Sequence, residues 1–117
     1  MKKIYLSTPY SHDDEAVRNI RYEQVTTVAA DIIMQDGHNV FSPITHSHPL
    51  VQFSSGPMPD TFEGWEAIDY QYIDWCNELW VLMLPGWDRS RGVANEVKYA
   101  ILTNTPVRYI EADAYGA

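Results

Sequence analysis

The sequence predicts an α/β fold, a flavodoxin- or Rossmann-like three-layer sandwich built around a mostly parallel sheet. The apolar run at residues 79–84, which ends at Pro85-Gly86, is typical of a strand buried in a parallel sheet. Strand-like and helix-like segments also alternate along the chain, in the order β-α-β-loop-α-β-α-β. This order favours a parallel sheet with helices on both of its faces.

The first half of the chain begins with a predicted strand at Lys3–Ser7. A helix follows, because apolar residues recur near a 3.6-residue period after Ser11 and Asp13, either of which is suited to be its N-cap. Gly37 is expected to end this helix as a left-handed cap. Asn39–Phe41 is then predicted to form a short second strand.

The second half begins with residues 42–64, which are rich in Pro, Ser, Gly and His and lack periodicity. We interpret them as one long loop, and loops of that length in a compact domain usually serve as lids or binding loops. Residues 65–77 are predicted to be helical. The buried strand, a helix that carries Glu96 and a last strand at Val107–Ile110 complete the predicted order.

Composition limits the class of protein. The 117 residues suffice for a single domain over 1–117, and 45% hydrophobic residues suffice for a packed core. A net charge of −8 argues against binding long nucleic acids, although a few N–H groups and one Arg can still hold a mononucleotide. The single cysteine, Cys76, excludes an internal disulfide and fits a cytoplasmic location. We expect no signal peptide and no contact with a membrane.

The loop after the buried strand is the predicted ligand site, because open α/β sheets bind ligands at the carboxyl ends of their strands. Ser90 and Gly92 can expose N–H groups to an anion at the start of the next helix. Glu96 is expected in or just after the first turn of that helix, facing the same crevice. It is either an exposed acid that complements the helix dipole, or a carboxylate kept ionised for nucleophilic attack.

Other candidate residues lie near the same sheet edge. Asp69 could face the site from the preceding helix, but three further acids compete with it there: Glu66, Asp74 and Glu78. Tyr5 is either a core tyrosine or the group that orients an acid at the end of the sheet. The first strand ends near the same edge of the crevice, where we expect three polar residues: Ser7, Thr8 and Tyr10.

The two histidines of the long loop, His46 and His48, are more suited to contact phosphate or ribose than to bind a metal, because no third ligand is obvious nearby. Arg89 and Arg91 are either solvated loop charges or a phosphate clamp. Trp87 could stack on a base or anchor its loop to the core. We therefore expect neither a metal nor a cofactor.

Three of these segments together resemble the nucleoside 2-deoxyribosyltransferase superfamily, which includes the 2′-deoxynucleoside 5′-phosphate N-hydrolases. They are Ile4-Tyr5-Leu6-Ser7, the Asp69 region, and Ser90-Arg91-Gly92-Val93-Ala94-Asn95-Glu96 with Tyr99-Ala100. The segment 82–92 is similar to small relatives of unknown function, the DUF1937 and DUF4406 families, and the segment 42–49 is similar to DUF1937 members. The resemblance covers nearly the whole chain.

The resemblance implies a role for individual residues. Glu96 matches the nucleophile of the superfamily, Tyr5 the tyrosine that orients it, Asp69 the aspartate that engages the substrate, and Ser90 a serine that contacts phosphate. Two features differ from the nucleotide hydrolases: the loop after Thr8 lacks their glycine-rich form, and Pro85-Gly86-Trp87 lengthens the later loop. Asn77 also replaces an acid that often follows the Cys76 position.

The implied activity is cleavage or exchange of the N-glycosidic bond of a small nucleoside or nucleotide. An alternative from another class is a binding module of the same fold that holds a nucleotide without turnover. A third is a scaffold that binds partners through exposed aromatic residues. The resemblance further implies a homodimer or larger homo-oligomer. We predict that Glu96, Asp69 and Tyr5 line one cleft, with the Tyr5 hydroxyl beside the Glu96 carboxylate.

Overall fold

The computed structural model describes residues 1–56 and 62–115, and within them four strands form one parallel sheet. The strands are β1 (Lys3–Ser7), β2 (Asn39–Phe41), β3 (Glu78–Leu82) and β4 (Val107–Ile110), in the order β2-β1-β3-β4. Each neighbouring pair is parallel. The predicted α/β fold with a parallel sheet is confirmed, and β3 begins and ends slightly earlier than the apolar run indicated.

Four α-helices occur in the same described part of the chain: α1 (Glu15–Asp31), α2 (Pro43–Phe53), α3 (Phe62–Trp75) and α4 (Arg91–Leu102). The N-cap of α1 is Asp14, whose side chain accepts a hydrogen bond from the Ala16 N–H, so neither predicted cap residue has that role. A π-helical turn continues α1, and Gly37 ends it with φ of 70°, as predicted.

The sheet separates two apolar layers, because successive side chains of a strand point to opposite faces. On one face Ile4 and Leu6 pack with Trp80, Leu82 and apolar residues of α1. On the other face Tyr5, Leu79 and Val81 pack against α3 and α4. The helices therefore lie on both faces of the sheet, and the three-layer arrangement is confirmed.

The segment predicted as one long loop contains helix α2. Ser42 is its N-cap and accepts a hydrogen bond from the Thr45 N–H, while Pro43 occupies the first turn, where a missing N–H costs nothing. Pro49 within the helix and the absence of charged residues hid its periodicity. Residues 57–61 of the predicted loop lie outside the described residues.

No helix in residues 1–56 or 62–115 is both long and apolar enough to cross a bilayer.

Candidate active site

A cleft of about 710 Å³ opens at the carboxyl end of the sheet. The sheet order places β1 between β2 and β3, so the chain connections diverge to opposite sides of β1 at this edge, the position where doubly wound sheets bind ligands. Elements from across the chain contribute to the cleft, including Thr8 and Tyr10 after β1, His48 from α2, Asp69 from α3, and Glu96 from α4.

The Glu96 carboxylate is held by two hydroxyl groups from β1. The Tyr5 Oη donates a hydrogen bond of 2.5 Å to Oε2, and the Ser7 Oγ donates one of 2.6 Å to Oε1. Tyr5 and Ser7 are two residues apart in the strand, so both side chains point to the face covered by α4. Glu96 is only 5% exposed. It is therefore a buried, oriented carboxylate rather than a surface acid that complements the helix dipole.

Burial raises the pKa of Glu96 from 4.5 to about 7, and the hydrogen bonds from Ser7 and Tyr5 partly oppose that rise. Burial therefore works against the expectation that the helix start keeps this carboxylate ionised. Glu96 lies in the second turn of α4, beyond the strongest effect of the helix dipole, and the loss of hydration dominates. At neutral pH the carboxylate is therefore divided between its two protonation states.

Asp69 is a second buried acid of the same cleft, 8% exposed. Burial raises its pKa from 3.8 to about 8, and the charge of Glu96 contributes to the rise. The pKa of Tyr5 lies well above 10.0, first through burial and then through the charge of Glu96, so its hydroxyl remains a donor. The competing acids Glu66, Asp74 and Glu78 do not line this cleft.

The start of α4 forms another wall of the cleft. Ser90 is the N-cap, and its Oγ accepts a hydrogen bond of 3.2 Å from the Val93 N–H. Arg91 and Gly92 follow in the first turn, where backbone N–H groups have no acceptor within the helix. All three residues line the cleft, so a positive helix end, which favours an anion, borders this space.

The two histidines are separated, because residues two apart in a helix face different directions. His48 is buried and lines the cleft: its Nδ1 lies 2.6 Å from the Tyr10 Oη, and its ring stacks on Tyr22. Burial, aided by the charge of Arg18, lowers the pKa of His48. His46 is exposed and its ring contacts the aromatic residues Phe41 and Tyr72 instead.

Two further candidates differ in their environment. Thr8 is 6% exposed, lines the cleft, and its Oγ1 has no hydrogen-bond partner among the described residues. Trp87 does not line the cleft. Its ring lies 5.4 Å from the ring of Tyr109, and it packs against the apolar layer between sheet, α3 and α4. These contacts support the interpretation of Trp87 as an anchor for its loop.

Sequence reasoning missed Arg21, which joins the two loops at the mouth of the cleft. Its Nη1 donates to the carbonyl oxygens of Tyr10 and Ser11, and its Nη2 donates to that of Pro85 at 3.2 Å. The neighbouring Gly86 has φ of 93°, and a Cβ there would lie 3.2 Å from the same Nη2. The available signal was a basic residue on α1 in a strongly acidic chain.

Within residues 1–56 and 62–115 no three His, Cys, Asp or Glu side chains are grouped as metal ligands would be. Burial also raises the pKa of Cys76 to about 11, so its thiol stays protonated at neutral pH.

The fold and this cleft can be compared with known proteins. The model of a family described as a domain of unknown function, DUF1937, matches residues 2–112. The chain belongs to the DUF1937 family. This DUF1937 domain is also similar to the solved structure of a 2-deoxyribosyltransferase from the psychrotolerant bacterium Bacillus psychrosaccharolyticus, described as a biocatalyst for nucleoside synthesis.

That similarity has a TM-score of 0.59 at 24% sequence identity, and it covers 93% of this chain and 72% of the other. At this identity the likeness shows a shared fold. No protein with a curated description matches the DUF1937 domain.

Proposed function

We propose that this DUF1937 domain breaks or exchanges the N-glycosidic bond of a small nucleoside or nucleotide, with Glu96 as the nucleophile. The observation that carries the proposal is the Glu96 carboxylate, fixed by Tyr5 and Ser7 in a cleft that also holds the buried acid Asp69. The shared fold with a 2-deoxyribosyltransferase adds support.

In the first step an oxygen of the ionised Glu96 carboxylate attacks the anomeric carbon of the sugar. The bond between that carbon and the base nitrogen breaks, and its electron pair stays on the nitrogen. Asp69 gives its proton to the departing base, and a glycosyl ester of Glu96 remains. Positive charge on the sugar in the transition state is stabilised by the nearby carboxylate, as in retaining glycosidases.

In the second step an acceptor attacks the same carbon and releases Glu96. With water the reaction is hydrolysis, and with a second base it is a transfer; Asp69, now ionised, accepts the acceptor's proton in either case. The two pKa values suit these roles, because between pH 7 and 8 Glu96 is mostly ionised while Asp69 is mostly protonated.

A 5′-phosphate on the substrate would bind at the start of α4. Ser90, Arg91 and the N–H groups of the first turn line the cleft, and donors at a helix start favour an anion. His48 lines the same cleft, where its Nδ1 lies 2.6 Å from the Tyr10 Oη. His46 is exposed and does not line the cleft, so this proposal gives it no role.

The rival proposal of a binding module without turnover uses the same cleft. The convergence of Tyr5, Ser7 and Glu96 favours an enzyme, because a ligand that only binds does not require a buried carboxylate of this kind. We also propose a homo-oligomer, on the resemblance to the deoxyribosyltransferases alone, and sedimentation velocity tests it.

The experiment is to incubate the protein with a panel of nucleosides and 5′-monophosphates and to measure free base by chromatography. A second base added to each reaction separates transfer from hydrolysis. We expect at least one substrate to release base, and Glu96→Gln to stop that release. Glu111→Gln, which changes an exposed glutamate that does not line the cleft, should leave the rate unchanged. Ligand binding without base release from any substrate would favour the binding module.

A further inference from the structure

We propose that the cleft binds a nucleotide with two or more linked phosphate groups, whose outer phosphate lies between α1 and the loop that precedes α4. The nucleoside part of this ligand rests on the proposed function. The second anionic subsite rests on the distribution of arginines, on a buried hydroxyl without a partner and on the charge pattern of the cleft.

The arginines of the chain are concentrated in this cleft, although the net charge is −8. Of five arginines, Arg18, Arg21, Arg89 and Arg91 line it, and the fifth, Arg108, lies over the ring of Trp80. In residues 1–56 and 62–115 none of the four forms an ion pair with a carboxylate within 4.0 Å. A cluster of guanidinium groups without carboxylate partners is typical of phosphate recognition.

The four arginines come from two elements that meet. Arg21 on α1 donates to the carbonyl oxygen of Pro85, which places this helix against the loop after β3. Arg18 precedes Arg21 by three residues and therefore lies one turn away on the same helix face. Arg89 and Arg91 flank Ser90, the first residue of the other wall. The guanidinium groups thus line adjoining parts of one space.

These arginines have different capacities for a ligand. Arg21 uses both of its terminal nitrogens on backbone carbonyls, so it contributes charge and holds the walls together. Arg18 donates from Nη1 to the His12 carbonyl oxygen, and within the described residues its Nη2 and Nε make no hydrogen bond. Arg89 is exposed, at the end of the short 3-10 turn before Ser90. Arg18 and Arg89 are therefore available in addition to the α4 start.

Thr8 gives an independent indication of a ligand. Its side chain lines the cleft and is 6% exposed, yet the Oγ1 has no partner in the described part of the chain. A buried hydroxyl without a hydrogen bond is costly, and such groups in native proteins are usually satisfied by a ligand, ion or water.

The charges of the cleft also have a direction. The acids Asp69 and Glu96 are buried, whereas Arg89 and Arg91 are exposed, and the exposed acids Asp13 and Glu15 also line the cleft. A ligand that fits this pattern has a neutral or developing positive centre at one end and a multiply charged anion at the other. One phosphate uses the start of α4 and Arg91, which leaves Arg18 and Arg89 for a second.

The test uses probes that contain no base: inorganic phosphate and pyrophosphate, titrated by calorimetry in EDTA to remove divalent cations. We expect pyrophosphate to bind at least about tenfold more tightly than phosphate, because a charge-assisted hydrogen bond contributes about that factor. Arg18→Gln and Arg89→Gln should each reduce this ratio toward one. Arg108→Gln removes the same charge outside the cleft and should preserve it.

Equal affinity for the two probes in the wild type, or an equal loss in Arg108→Gln, would overturn the second subsite. Because Arg89 is exposed, its variant keeps the test valid even if Arg18→Gln unfolds. A pyrophosphate preference without base release from any nucleotide would leave the subsite standing and reject the proposed function. Base release from monophosphates without a pyrophosphate preference would support the proposed function and reject the second subsite.

Discussion

The Tyr5 hydroxyl lies 2.5 Å from Oε2 of Glu96, a residue 91 positions later in the chain. The contact joins the central strand β1 to helix α4 across a buried layer of the fold. A second hydrogen bond, from the Ser7 hydroxyl to Oε1, completes the orientation of this carboxylate toward the cleft.

Removal of either hydroxyl donor should raise the pKa of Glu96, because both hydrogen bonds favour its charged form. In Tyr5→Phe and in Ser7→Ala we expect the acid limb of the activity profile to move upward by roughly one pH unit. Profiles of kcat/KM against pH measure this shift. Tyr109→Phe, at an exposed position of β4, is the matched control. If the acid limb of the profile stays at the same pH in both variants, the two hydrogen bonds do not lower the pKa of Glu96.

Activity should be bell-shaped in pH, with its maximum between about pH 7 and pH 8. Below that range Glu96, with a pKa of about 7, becomes protonated and loses its nucleophilic form. Above it Asp69, with a pKa of about 8, loses the proton that the base needs. Asp69→Asn should remove the alkaline limb and lower the rate by about 10² to 10⁴-fold. An alkaline limb that persists in this variant would assign the proton to another group.

Stability should fall as pH rises from about 4 to about 8. The folded pKa values of Glu96 and Asp69 lie above their ordinary values of 4.5 and 3.8, so the native state binds more protons than the unfolded chain in this range. The stabilisation is complete below the unfolded values and is lost as pH passes the folded ones. We expect a decrease of a few kcal/mol, measured by urea unfolding at several pH values.

The amide of Asp69→Asn does not ionise, so this variant should show a shallower decrease and exceed the wild type in stability at pH 8. A wild-type free energy of unfolding that rises over the same interval would contradict the burial of the two acids as the dominant influence.

A nucleoside 5′-monophosphate should bind more tightly than its nucleoside, by about tenfold, and Arg91→Ala should remove most of that difference. Calorimetry on both ligands measures it. Ser90→Gly tests the cap position with little loss of helix stability, whereas Ser90→Ala would also cost about 1 kcal/mol through the lost bond to the Val93 N–H. Equal affinities in the wild type would shift the substrate class toward free nucleosides.

The sheet was predictable because each of its strands has a local signal. The apolar run before Pro85 marks a buried parallel strand, and the bounds of β1, β2 and β4 follow from short apolar segments between helical patterns. The residues alone left Tyr5 as either a core tyrosine or a group that orients an acid, and only the resemblance favoured its contact with Glu96.

The remaining features depend on tertiary contacts that the sequence does not display. Helix α2 has Pro49 in its interior and no charged face, although Ser42-Pro43 at its start was an available signal. Its helical geometry then separated His46 from His48. Arg18 and Arg21 gave no sign of the cleft, because their position depends on how α1 packs on the sheet.

The most direct test of the central claim is the mass of the protein during turnover. The active protein is mixed with a substrate found by base release, quenched in acid within the time of one turnover, and digested for mass spectrometry. We expect the peptide that contains Glu96 to gain the mass of the sugar portion, less one water, and Glu96→Gln to show no such gain. Base release in a first turnover with Glu96 unmodified, or with the sugar on another residue, would contradict the assignment of Glu96 as the nucleophile.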